Sequence, residues 1–88
     1  MFHIHITENE IKVEKRKARE LRRTRWWKEK LYSGLCEYCG KKIPPEELTM
    51  DHIVPLIRGG KSVKNNIAVC CKACNNSKKY LLPSEWER

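Results

Sequence analysis

The sequence predicts a small α+β domain stapled by metal, with a long basic helix in front of a strand, loop, strand and short helix. Three observations carry that reading. Four cysteines fall into two C-x-x-C pairs, Cys36 with Cys39 and Cys71 with Cys74. Residues 7–31 contain neither Gly nor Pro and are rich in Lys, Glu, Arg, Leu and Ala, all good helix formers. Between the cysteine pairs lie two short apolar runs separated by a long loop with turn residues in it.

The elements follow in chain order. Thr7 with Glu10 three residues later matches a capping box, and Gly34 after Tyr32 and Ser33 suits a helix terminator. One helix is therefore expected over residues 7–31. Ala18, Leu21, Thr24, Trp27 and Leu31 fall near one of its faces, while Lys15, Arg16, Arg19, Arg22, Arg23 and Arg25 crowd the other. Residues 35–42 form the first cysteine knuckle, and the Pro44-Pro45 pair breaks the chain. Leu48, Met50 and the Ile53-Val54 pair read as the first arm of a hairpin, and residues 67–70 as the second. The intervening loop, residues 55–66, is long enough to suggest a functional role. A short helix over residues 72–81 follows, stopped by Pro83. The expected organisation is a single domain over residues 1–88: a basic helical extension over 1–34, a zinc-bound core over 35–82 and a C-terminal tail over 83–88.

Tetrahedral zinc takes four thiolates, and each C-x-x-C turn presents two sulfurs to one side of an ion, so Cys36, Cys39, Cys71 and Cys74 read as one structural Zn²⁺ site. Disulfides fit less well. Cys70 makes the count odd, and residues 1–8 do not resemble a secretion signal, which favours a reducing, cytoplasmic compartment. Cys70 reads as a small buried hydrophobe. A chain of 88 residues is too short to bury a large core unaided, and a metal staple compensates. With 19 Lys and Arg against 11 Asp and Glu, the net charge of +8 favours a polyanionic partner, nucleic acid above all, although an acidic protein would satisfy it too. No apolar run reaches the length of a membrane span.

Inside the cysteine bracket stands Asp51-His52, followed by Asn66, Asn75 and Lys78. On these residues and the cysteines, residues 36–79 resemble the HNH endonucleases of the zinc-containing, ββα-metal type. The resemblance implies a ββα-metal fold and metal-dependent cleavage of DNA, with RNA not excluded. It implies His52 as the motif histidine, Asn66 as the loop asparagine that braces the loop and orients His52 through a backbone contact, and Asn75 in place of the histidine that many members carry on the helix. Lys78 matches a frequent Asn-x-x-Lys ending.

The residue types suit that chemistry. A neutral imidazole takes a proton from water near neutral pH, the role implied for His52. A divalent cation neutralises charge developing on phosphate, and Asp51 with Asn75 offers oxygen ligands suited to Mg²⁺ or Mn²⁺. Strand neighbours point to opposite faces, so Asp51 and His52 can serve one phosphate only if the strand bends or ends there. Arg19, Arg22 and Arg23, together with Lys78, are the expected nucleic-acid contacts. The plain alternative makes Asp51 a turn cap and His52 a satisfied, half-buried imidazole. The rival function is a non-catalytic zinc module that binds nucleic acid or a protein, a role that would not need Asp51, His52, Asn66 and Asn75 together.

Other features carry less. Gly60-Lys61-Ser62 echoes a nucleotide-binding loop, but that motif needs Gly where Pro55 stands. His3-x-His5 lacks partners for a metal site. Trp26, Trp27 and Trp86 suit core packing better than base stacking.

Overall fold

The computed structural model describes residues 6–86; the His3-x-His5 pair lies outside them. Two helices open the chain, α1 (Glu8–Arg22) and α2 (Arg25–Tyr32). An antiparallel hairpin follows, with β1 (Leu48–His52) paired to β2 (Ile67–Cys71), and α3 (Lys72–Lys78) continues from β2 without a loop. This is the expected α+β class, with its two-stranded sheet and helices.

The single long helix of the sequence reading is broken in two. Thr7 caps α1 as expected, its Oγ1 accepting from Glu10 N at 3.1 Å. Thr24 then leaves the helical conformation, at φ −81° and ψ 153°. Its hydroxyl donates to the Leu21 carbonyl at 2.6 Å and accepts from Trp27 N at 3.3 Å. A residue placed on the apolar face thus closes one helix and caps the next, the competition that Thr side chains offer to helical hydrogen bonding. The break lets Trp27 enter the core. Gly34 ends α2 in the left-handed region at φ +69°, as its position suggested.

The core lies between α2 and the hairpin. Trp27, Leu48, Ile67 and Val69 form its buried centre, with Leu21, Leu31, Ile43 and Met50 packed around it. Every residue of β2 is buried, whereas in β1 only Leu48 and Asp51 are, and Met50, Asp51 and His52 of β1 reach the cleft described below. Each buried Ile or Val here is worth about 1.5–3 kcal/mol against exposure. The register aligns Leu48 with Cys71 and His52 with Ile67.

The first arm ends at His52 rather than running through Ile53-Val54. There the chain turns, because Val54 is claimed by a side chain: its N–H donates to Asn66 Oδ1 at 2.9 Å and its carbonyl accepts from Asn66 Nδ2 at 3.1 Å. Gly60 packs so closely on Val54 that a Cβ would sit 1.8 Å from the Val54 carbonyl oxygen, so no other residue fits without displacing the loop.

A further difference concerns the end of α3. Helix α3 stops at Lys78, not near Leu81, because Lys79 leaves the helical conformation at φ 50° and ψ −118°. Trp86 is buried edge-on against Tyr38 at 5.2 Å, and its indole N–H donates to Ser77 Oγ at 3.0 Å.

Candidate active site and metal centre

On one side of the hairpin the two knuckles converge. The sulfurs of Cys36, Cys39, Cys71 and Cys74 all lie within 4.8 Å of one another, and Cys39 Sγ stands 4.0 Å from Cys71 Sγ. Four thiolates around a tetrahedral zinc are about 3.8 Å apart, so the cluster could hold that ion. Each knuckle folds around its first sulfur: Cys39 N donates to Cys36 Sγ and Cys74 N to Cys71 Sγ, both at 3.4 Å. Burial opposes ionisation of Cys36, yet backbone N–H groups of Cys39, Cys71 and Tyr38 hold its thiol down at about 6, while burial drives Cys74 the other way. Such a cluster is part-way to the thiolate state that a metal completes. Glu37 secures the knuckle to the sheet, its Oε1 accepting from Val69 N at 2.8 Å and from Lys30 Nζ at 3.1 Å. Cys70 is fully buried beside the cluster and burial pushes its thiol up to about 11, consistent with the inert role read from its neighbours.

Distinct from the sulfur cluster is an open cleft of about 360 Å³. Asp51, His52 and Asn75 share its wall with Ile11, Lys15 and Lys79. Three of the four residues singled out for catalysis therefore meet, although two are strand neighbours. The strand stops at His52, and that ending lets adjacent side chains serve one cleft.

Each is held differently. Asp51 is buried; its Oδ2 accepts from Tyr38 Oη at 2.7 Å and from Lys78 Nζ at 3.1 Å. Burial, then the bond to Asp51, raises the Tyr38 phenol far above its ordinary value, so it remains a donor. Asn75 donates its Nδ2 to Thr49 Oγ1 at 3.0 Å, and the Thr49 hydroxyl donates in turn to the Cys70 carbonyl at 3.0 Å. With the hydroxyl proton so committed, Thr49 can only accept from Asn75, which fixes the amide orientation and leaves Asn75 Oδ1 as the uncommitted oxygen. His52 places Nε2 2.8 Å from Ser62 Oγ. Burial lowers the His52 pKa, helped by Arg22 and Lys78 and opposed by Asp51 and Glu14, so the ring is neutral at neutral pH.

Asn66 does not reach the cleft wall. It spans the loop, bonding Val54 on both sides and donating to the Lys61 carbonyl at 2.9 Å, while its own carbonyl accepts from Ile53 N at 2.9 Å. Its contacts are with backbone atoms of Ile53 and Val54, directly after His52.

Lys78 corrects the sequence reading. Expected to face nucleic acid, it is completely buried, its ammonium shared between Asp51 Oδ2 and the His52 carbonyl, each at 3.1 Å. A side chain so enclosed cannot meet phosphate; it pins the strand end to α3. Arg19 and Arg22 on α1 and Arg23 at its C-cap are exposed, and none of them is in an ion pair among the described residues.

Sequence reasoning missed Tyr38, Glu14, Ser62 and Lys79. Only Tyr38 carried a local signal, standing inside the first knuckle between Glu37 and Cys39. Ser62 had been set aside with the failed nucleotide-loop motif.

Helices, hairpin and sulfur cluster together define a small α+β domain whose four cysteines could hold zinc. A family model described as HNH endonuclease matches residues 36–88, and the chain belongs to that family, which implies a nuclease-type function. No curated protein matches the chain. Among the described residues, no helix is long and apolar enough to cross a membrane.

Proposed function

We propose that the protein is a metal-dependent endonuclease that hydrolyses phosphodiester bonds in DNA, with a structural zinc on the four cysteines. The observation that carries this reading is the meeting of Asp51, His52 and Asn75 on one cleft wall, at the end of β1 and on the facing turn of α3. His52 is the general base: it is neutral because it is half-buried, and a neutral imidazole accepts a proton from attacking water.

Asp51 and Asn75 would hold the catalytic divalent cation, each with one oxygen left over from its protein hydrogen bonds. Their all-oxygen chemistry suits Mg²⁺ or Mn²⁺. Such an ion, when bound, neutralises charge developing on the phosphate oxygens. Tyr38 and Lys78 orient the Asp51 carboxylate, and Asn66 keeps the chain turning directly after His52.

The positive charge that steers the substrate lies on α1 and beyond α3. Lys15 and Lys79 stand on the cleft wall, and Arg22 is close enough to depress the His52 pKa. Arg19, Arg22 and Arg23 would contact backbone phosphates without reading sequence.

Supercoiled plasmid incubated with the zinc-loaded protein should be nicked when Mg²⁺ or Mn²⁺ is added and spared in excess EDTA, and Asp51→Ala should remove most of the activity. Undiminished cutting in EDTA would remove Asp51 and Asn75 from the reaction. A matched single-stranded RNA substrate separates ribonuclease from deoxyribonuclease activity.

A further inference from the structure

The hydroxyl of Ser62 has one proton, and its position is decided by geometry. Ser62 Oγ donates to the Glu14 backbone carbonyl at 2.6 Å. The same oxygen lies 2.8 Å from His52 Nε2. With its proton committed to Glu14, Ser62 can only accept at that second contact, so His52 Nε2 must carry the hydrogen. A neutral imidazole protonated at Nε2 has its lone pair on Nδ1. Among the described residues nothing hydrogen-bonds Nδ1, and no buried side-chain nitrogen or oxygen lacks a partner, so Nδ1 is open to water.

The arrangement is built rather than incidental. Ser62 is buried, and its backbone N–H donates to Glu14 Oε1 at 2.6 Å, so main chain and side chain of both residues engage. Glu14 is itself buried in α1, its other oxygen 3.4 Å from Lys17 Nζ. The two residues are 48 positions apart in the chain. Gly60, which no larger residue can replace, sets the turn that delivers Ser62 to this point.

We propose that Ser62 is a positioning residue that fixes His52 as the Nε2-protonated tautomer, with Glu14 of α1 holding the Ser62 hydroxyl in its accepting orientation. The N-terminal helix is then part of the catalytic apparatus and not only a basic extension. This rests on the reading of His52 as general base: Nδ1 is the atom that takes the proton from water, and without the Ser62 contact the ring divides its time between tautomers and orientations.

The test uses the full zinc-loaded chain. In a long-range ¹H–¹⁵N correlation spectrum of labelled protein, at a pH where His52 is neutral, His52 should show a protonated Nε2 and an unprotonated Nδ1. Its signals are assigned by comparison with His52→Ala. In Ser62→Ala the two nitrogen shifts should move toward each other as the tautomers mix, and kcat for plasmid nicking should fall about tenfold to a hundredfold with little change in KM. Ser62→Thr, which keeps the hydroxyl, should recover most of the rate. A wild-type His52 protonated at Nδ1 overturns the proposal, and this reading holds even if Ser62→Ala does not fold. So does a folded Ser62→Ala enzyme with unchanged tautomer and wild-type kcat. His52→Ala run alongside keeps the two ideas apart: if it is inactive while Ser62→Ala is fully active, the base stands and the positioning role falls; if it cuts normally, the base reading itself fails.

Discussion

The cysteine cluster and the cleft are built by opposite means. On the cysteine side, each knuckle closes within three residues, and its sulfur is held by the backbone N–H of its own turn. On the cleft side almost every constraint comes from far away in sequence: Tyr38 to Asp51, Asn75 to Thr49, Lys78 to Asp51, Ser62 to Glu14. Local geometry suffices to bind a structural ion, because four sulfurs and two tight turns are all it asks. The proposed base and metal-holding carboxylate need partners that only the finished fold supplies. The two sides should therefore fail differently when perturbed, one by unfolding and the other by losing chemistry in a folded protein.

The largest effect is expected on the cysteine side. Replacing Cys36 and Cys74 with Ser, or stripping metal with a strong chelator, should abolish cooperative unfolding, since structural zinc sites in small domains contribute on the order of 10 kcal/mol. Circular dichroism melts with and without chelator read this directly, and elemental analysis should find about one zinc per chain. A chelated protein that melts like the untreated one would mean that the hairpin stands without the cysteine cluster.

Next comes the one place where the cleft side also bears on stability. Lys78→Met leaves the Asp51 carboxylate buried without its cation, and removing one partner of a buried pair costs about 3–5 kcal/mol. Denaturant titration should show that loss. An unchanged midpoint would move Lys78 back to the surface and reopen a phosphate-binding role for it. The smallest effect is expected on α1, where neutralising Arg19, Arg22 and Arg23 should leave the melt unaltered. DNA affinity should instead lose salt dependence, the slope falling by about 0.9 for each phosphate contact removed. A retained slope would return that face to solvent.

What the sequence made legible follows the same division. The cysteine cluster was fully readable because its geometry is written in spacing. Asp51, His52 and Asn75 could be named from the pattern, but their meeting on one wall depended on β1 ending at His52. That ending is set by Asn66 gripping Val54, which no local pattern announces. Lys78 was misread because a lysine in a polar helix looks exposed until the carboxylate it serves is located. The helix break was hidden for a related reason: Thr24 fits an amphipathic helix equally well as a continuing residue or as a cap, and burial of Trp27 decides between them. Glu14 with Ser62 left no trace at all, being two common residues joined across 48 positions.

The central claim is that the cleft performs hydrolysis while the cysteine cluster holds the fold, and His52→Ala tests it most directly. Compare the variant with the wild type for plasmid nicking in Mg²⁺, with zinc content and melting measured on the same samples. Nicking should fall by on the order of a hundredfold or more, with zinc and stability unchanged. A variant that is folded, zinc-loaded and still cuts at the wild-type rate would contradict the account.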